Sequence, residues 1–145
     1  MSRLVLIIVF LLAFALSNAA AATRSARARL AQRVVAYARH QLGTPYRYGA
    51  ASPRYGFDCS GLVYAAYRSI GRAIPRSTWG QLAIGRRVAW NALRPGDLLF
   101  TNGGGHVMLV ISRGLAVSAP HSGARVRLVP LSAYRSSFFA ARRVL

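Results

Sequence analysis

The stretch GFDCSG, residues 56–61, holds the only cysteine of the chain and one of its two acidic residues. Residues from Cys59 to Ile70 read as a helix. Leu62, Val63, Ala66 and Ile70 make its apolar face, and Gly71 supplies a C-terminal stop. Cys59 therefore stands at a helix start. The first N–H groups of a helix lack intrahelical partners, and that end carries partial positive charge. Both favour a thiolate, the nucleophilic form of cysteine, and the same N–H groups can hold an oxyanion. Asp58 occupies the N-cap position, where it can accept from the N–H of Ser60 or Gly61. A cap of that kind stabilises a helix by about 1 kcal/mol. The same carboxylate is also placed to meet a substrate, and the residue types do not separate the two roles. Gly61 leaves room for close approach of another backbone or a ligand.

Working outward, residues from about Ser25 to Leu42 repeat Leu30, Val34, Ala38 and Leu42 with arginines between them, a helical pattern stopped by Gly43 and Pro45. TPYRYGAASPRYG, residues 44–56, reads as an ordered loop. RPGDLLF is a turn leading into a strand, and HVMLVIS, LAVSA and RVRLV are short apolar runs of strand character. After His106 the run is apolar on both alternating faces, as in a central strand. TNGGGH reads as a flexible hairpin tip, and no helix succeeds it as a phosphate loop would need. Helix, loop, helix, then antiparallel strands is the order of one α+β domain, with helices packed on one side of a sheet.

Hydrophobic residues make up 54% of the 145 residues, enough for a packed core. Part of that share is an export signal: Arg3, the apolar run Leu4 to Leu16, then small residues. The run is short for a bilayer span, which disfavours an uncleaved anchor. No cysteine comes after it to carry a lipid until Cys59, far into the domain. We expect a signal peptide over 1–22, a domain over 23–145, and a soluble mature chain starting near Ala20 to Thr23, located in the periplasm or outside the cell at the wall. The formal charge is +18, from 20 basic residues against Asp58 and Asp97, and every basic residue is arginine. Such a chain is drawn to polyanions, here anionic wall polymers or a lipid surface. Export, scattered arginines and the lack of a recognised module argue against nucleic acid.

A nucleophilic cysteine needs a base, and the chain offers His40, His106 and His121. His40 lies among exposed-looking residues of the first helix. His106 opens a buried strand, which suits a hydrogen-bonded core histidine as well as it suits a base. Cysteine at a helix start and histidine at a strand start are the arrangement of a papain-like site.

GTPYRYGAASPRYGFDCSGLVYAAY, IPRSTWGQ, LRPGDLLF, HVMLVI and SAPHSG come in an order and at spacings that resemble the NlpC/P60 cysteine peptidases of bacterial cell walls. The resemblance covers the chain from about Arg33 to its end. It implies a papain-like α+β core and cleavage of peptidoglycan stem peptides between γ-linked D-glutamate and the following diamino acid. It makes Cys59 the nucleophile and His106 the general base, in a mechanism that needs no metal or organic cofactor; a monomer is taken as the default state. Tyr46 matches the family's active-site tyrosine, which helps hold oxyanion or substrate, although a packed loop aromatic fits the same position. Asp58 and Ser60 flank the nucleophile and are placed to meet the substrate peptide. Asp97 matches a structural turn position.

The family's third polar residue, commonly a histidine, stands twelve positions after the base. Here that position is Ser118. Its task is to orient the imidazole, and a hydroxyl accepts that hydrogen bond more weakly than imidazole or carboxylate. His121, three residues on, is either a substitute or a lining residue of the substrate groove. The departure leaves open a non-catalytic cationic wall-binding pseudoenzyme. An amidase or acyltransferase using the same dyad is a second rival, because the chemistry up to the thioester is shared, and a toxin or cationic membrane-active protein is a third. If charge draws the protein to the wall, sedimentation with purified wall material should weaken clearly between low and high salt. Binding that ignores salt would remove that role.

Overall fold

A computed structural model describes residues 3–145. The chain divides into two compact units, one ending at Leu30 and one spanning Ala31–Leu145. Met1 and Ser2, the first residues of the expected signal peptide, lie outside the described residues.

Helix α1 runs from Arg3 to His40, well beyond the stretch expected from Ser25. No glycine or proline interrupts residues 3–42, so nothing in the sequence breaks the helix before Gly43. Gly43 adopts φ 87°, a conformation that stops a helix at little cost only for glycine. The helix is long enough and apolar enough to cross a membrane; a signal sequence meets the same description.

In the second unit a hairpin of β1 (Ala51–Ser52) and β2 (Gly56–Phe57) precedes α2, Cys59–Arg68. Helix α3 (Thr78–Leu82) and strand β3 (Arg86–Arg87) come next. Strands β4 (Leu98–Thr101), β5 (His106–Val110), β6 (Leu115–Ser118) and β7 (Arg127–Pro130) form an antiparallel meander. Strand β8 (Phe138–Arg143) then crosses back to lie between β3 and β4, giving the order β3-β8-β4-β5-β6-β7. The α+β reading holds. The short helix α3 and the central place of β8 were not legible in the sequence.

Alternation along the strands gives the sheet two cores. Leu98, Phe100, Val107, Leu109 and Val117 pack with Val34, Val35 and Ala38 of α1 and with Leu62, Val63, Ala66 and Tyr67 of α2. Leu99, Met108, Val110, Ala116, Val129 and Ala141 form a smaller core with Val88 and Leu131. The four apolar residues of β5 after His106 are fully buried, as a central strand requires. Leu42 falls beyond the helix end and is exposed, so the apolar stripe of α1 ends at Ala38. Within the 102–105 turn Gly104 is packed, since a Cβ there would lie 3.1 Å from Trp79, 3.2 Å from Leu82 and 3.3 Å from Phe139, while Asn102, Gly103 and Gly105 are exposed.

The turn before β4 is pinned by Asp97. Its carboxylate accepts from the N–H of Arg94 at 2.8 Å and from Arg143 of β8 at 2.7 and 2.6 Å. Tyr67 of α2 donates to the Gly96 carbonyl at 2.7 Å, and burial pushes its phenol above the usual tyrosine range. This one turn ties the helix layer to the strand that sequence order would place farthest away. Removing one partner of such a buried pair strands the other charge. Asp97→Ala should therefore cost about 3–5 kcal/mol, read as a lower midpoint in urea denaturation; a loss under about 1 kcal/mol would mean that Arg143 is satisfied by other groups.

Candidate active site

The N-terminus of α2 carries the site. Asp58 caps it, with φ −88° and ψ 179°, and its Oδ1 accepts from the Gly61 N–H at 2.7 Å. Its Oδ2 accepts from the Gly49 N–H at 2.8 Å and from Arg76 Nη2 at 2.9 Å. Arg76 also donates from Nη1 to Ser60 Oγ at 2.9 Å and from Nη2 to the Ala50 carbonyl at 3.1 Å. Burial alone would raise the Asp58 carboxyl, but the hydrogen bonds from Arg76, Gly61 and Gly49 outweigh it and hold it below the usual carboxylate range. Gly61 has no room for a side chain: a Cβ there would run into the Ala50 carbonyl and lie 2.8 Å from Asp58 Oδ1. The close approach that the glycine permits is thus of the chain's own backbone.

These contacts present half-buried Cys59 at the first position of α2. Its Sγ lies 3.8 Å from Thr78 Oγ1. Cys59 lines an open cleft of about 440 Å³ together with Tyr46, Tyr48, Asp58, Ser60 and Arg76, and Trp79 and Gly105 also border it. Burial raises the Tyr46 hydroxyl, and neighbouring Cys59 and Asp58 raise it further, so it stays a protonated donor.

Gly105 directly precedes His106, the first residue of β5, against which α2 packs. The ring Nε2 of His106 lies 3.1 Å from Ser118 Oγ at the end of β6. In the tautomer whose Nε2–H donates to that hydroxyl, Nδ1 is the nitrogen left to accept a proton. Ser118 is fully buried, so its hydroxyl does not compete with water for that contact. Burial pushes His106 below the ordinary histidine value, which keeps the ring neutral and basic in form. His121 takes no part in this cluster. It is exposed, bonded through Nδ1 to the Ser122 carbonyl at 3.0 Å, and absent from the cleft lining.

The family model described as "NlpC/P60 family" matches residues 43–143. The chain belongs to the NlpC/P60 family. It is 38% identical over 109 residues to a probable endopeptidase of Corynebacterium glutamicum, covering 74% of this chain and 52% of that protein. It is 37% identical over 115 residues to the murein DD-endopeptidase MepH of Escherichia coli, covering 72% and 42% respectively. Among solved structures, the peptidoglycan hydrolase RipB of Mycobacterium tuberculosis aligns with a TM-score of 0.76 and 30% identity, over 84% of this chain and 68% of that one. The chain thus spans about half or less of the length of those two sequence relatives.

In this NlpC/P60 domain the structure brings Cys59, Tyr46, Asp58 and Ser60 to one cleft, and sets His106 and Ser118 side by side. The sequence alone did not reveal Arg76, Thr78, Trp79 or Tyr48. Arg76 was hidden among 20 basic residues, and only the count of two acids hinted that one arginine must answer Asp58.

Burial of a neutral His106 makes stability depend on pH. The unfolded chain binds a proton below about pH 6.5 that the native ring resists. The stability contributed by burying the neutral ring is complete above that value and lost as pH falls through the lowered native value. The urea midpoint should therefore decline from about pH 7.5 to about pH 5, and His106→Gln should flatten that decline. An unchanged slope in the variant would place the titration elsewhere.

Proposed function

We propose that the protein is an exported peptidoglycan hydrolase that cleaves stem peptides through a cysteine thioester. The observation that carries this reading is Cys59 at the capped start of α2, on a cleft whose wall continues into a histidine held by a buried hydroxyl. Membership of the family and the names of its relatives support the substrate. Residues 1–22 are read as the export signal and 23–145 as the catalytic domain, supported by the apolar helix near the N-terminus.

In the reaction, His106 takes the Cys59 proton and the thiolate attacks the stem-peptide carbonyl. The free N–H groups of α2 and the Tyr46 hydroxyl hold the tetrahedral oxyanion. Collapse breaks the C–N bond, His106 gives its proton to the leaving amine, and a thioester remains. Water, deprotonated by His106, hydrolyses the thioester, releasing a carboxylate and restoring the thiol. Ser118 orients the imidazole throughout. Asp58 and Ser60 shape the start of the cleft, and the arginine-rich surface holds the protein, as a monomer, to anionic wall polymers or lipid headgroups.

The bond assigned is the one between γ-D-glutamate and the diamino acid. A second reading, cleavage of a D,D cross-link, is favoured by the similarity to a murein DD-endopeptidase. Digestion of purified peptidoglycan by the mature chain, beside Cys59→Ala and read by mass spectrometry, separates them. Fragments ending in γ-D-glutamate support the first assignment, and separated but intact stem peptides support the second. His106→Ala should slow turnover by about 10²–10⁴-fold. Wall binding without any Cys59-dependent fragment would leave a pseudoenzyme, and an acyl group passed to an added amine would make the protein an acyltransferase.

A further inference from the structure

The chain places one of its two acidic side chains directly before its only cysteine. A negative charge there opposes thiolate formation, and Asp58 also draws on the helix end whose positive charge the thiolate needs. Arg76 answers that charge. Among the residues lining the cleft, Asp58 is the only carboxylate and Arg76 the only guanidinium. Arg76 donates to Asp58 Oδ2 and to Ser60 Oγ, each at 2.9 Å, so it touches both sequence neighbours of Cys59.

We infer that Arg76 is a positioning residue for the nucleophile: it cancels the Asp58 charge beside Cys59 and so permits the thiolate to form. A purely structural clasp would need only donors at these positions. The charge matters because the other ionisable groups at the cleft do not replace it. Tyr46 and Tyr48 of the 43–50 loop are phenols, α3 contributes the uncharged Thr78 and Trp79, and the 102–105 turn contributes Gly105 ahead of His106. The His106 ring itself is driven toward its neutral form by burial and becomes a cation only on taking the Cys59 proton. Arg76 is thus the permanent cation at the nucleophile, and its side chain keeps 36% of its exposure while Asp58 keeps 10%. The carboxylate is the partner that solvent cannot neutralise.

Thiol reactivity is read without peptidase activity, so failure here is distinct from failure of the proposed function. The rate of Cys59 alkylation by iodoacetamide is followed against pH in the wild-type chain, Arg76→Gln, Arg76→Lys, Asp58→Asn and the double variant Asp58→Asn/Arg76→Gln, with circular dichroism as a check on folding. Arg76→Gln should move the midpoint of the alkylation profile up by about one pH unit, and Arg76→Lys should restore most of it. Asp58→Asn, which keeps a cap oxygen, should move it down. The double variant should return close to wild type, because charge and counter-charge leave together. A purely structural clasp gives another pattern: Arg76→Gln and the double variant shift alike, or neither shifts, and either result overturns the inference. If Arg76→Gln does not fold, Asp58→Asn against the double variant decides. A double midpoint above that of Asp58→Asn by about one pH unit upholds the inference, and equal midpoints overturn it.

Discussion

The candidate-site end of this domain depends on one carboxylate. Asp58 accepts hydrogen bonds from Gly61 in α2, from Gly49 in the loop before β1 and from Arg76 in the loop before α3. Three chain segments that are separate in sequence are thereby held at one point. The cleft wall, the exposure of Cys59 and the approach of Ala50 to Gly61 all depend on that convergence. A buried carboxylate is costly unless its lone pairs are met, and here the donors that meet it also define the site.

Asp97 does the same for the sheet. It joins the turn before β4 to β8 through Arg143, while Tyr67 joins that turn to α2. Both acids of the chain are therefore engaged in internal ion pairs, and the surplus arginines have no carboxylate side chain to turn to. Their charge is available to external anions. Two arginines answer the acids of the fold and the site, and the others carry the excess charge.

The cap at Asp58, the helix starting at Cys59 and the meander β4 to β7 were readable because each rests on local chemistry. A cap needs a side chain within three residues, and a strand needs alternation over four or five. The pairing of His106 with Ser118 was readable only as a family position, and its geometry depends on β5 and β6 lying side by side. His121 was offered by the sequence as a substitute for Ser118 or a lining residue of the groove, yet it bonds its own neighbour Ser122 and stays in solvent. The C-terminal strand escaped notice because FFAARR carries no clean alternation; its burial comes from being clasped between β3 and β4.

By itself the sequence determined which residue is the candidate nucleophile, that a helix begins there under an acidic cap, and that an apolar helical segment precedes an α+β domain. Those features rest on nearest neighbours along the chain, where geometry is set by bond lengths and backbone hydrogen bonds. The tertiary structure decided which arginine out of 20 basic residues answers Asp58, which polar group holds His106, and where β8 inserts. Those are long-range pairings, and any exposed arginine or serine is chemically equal to another until packing brings one of them within hydrogen-bond reach.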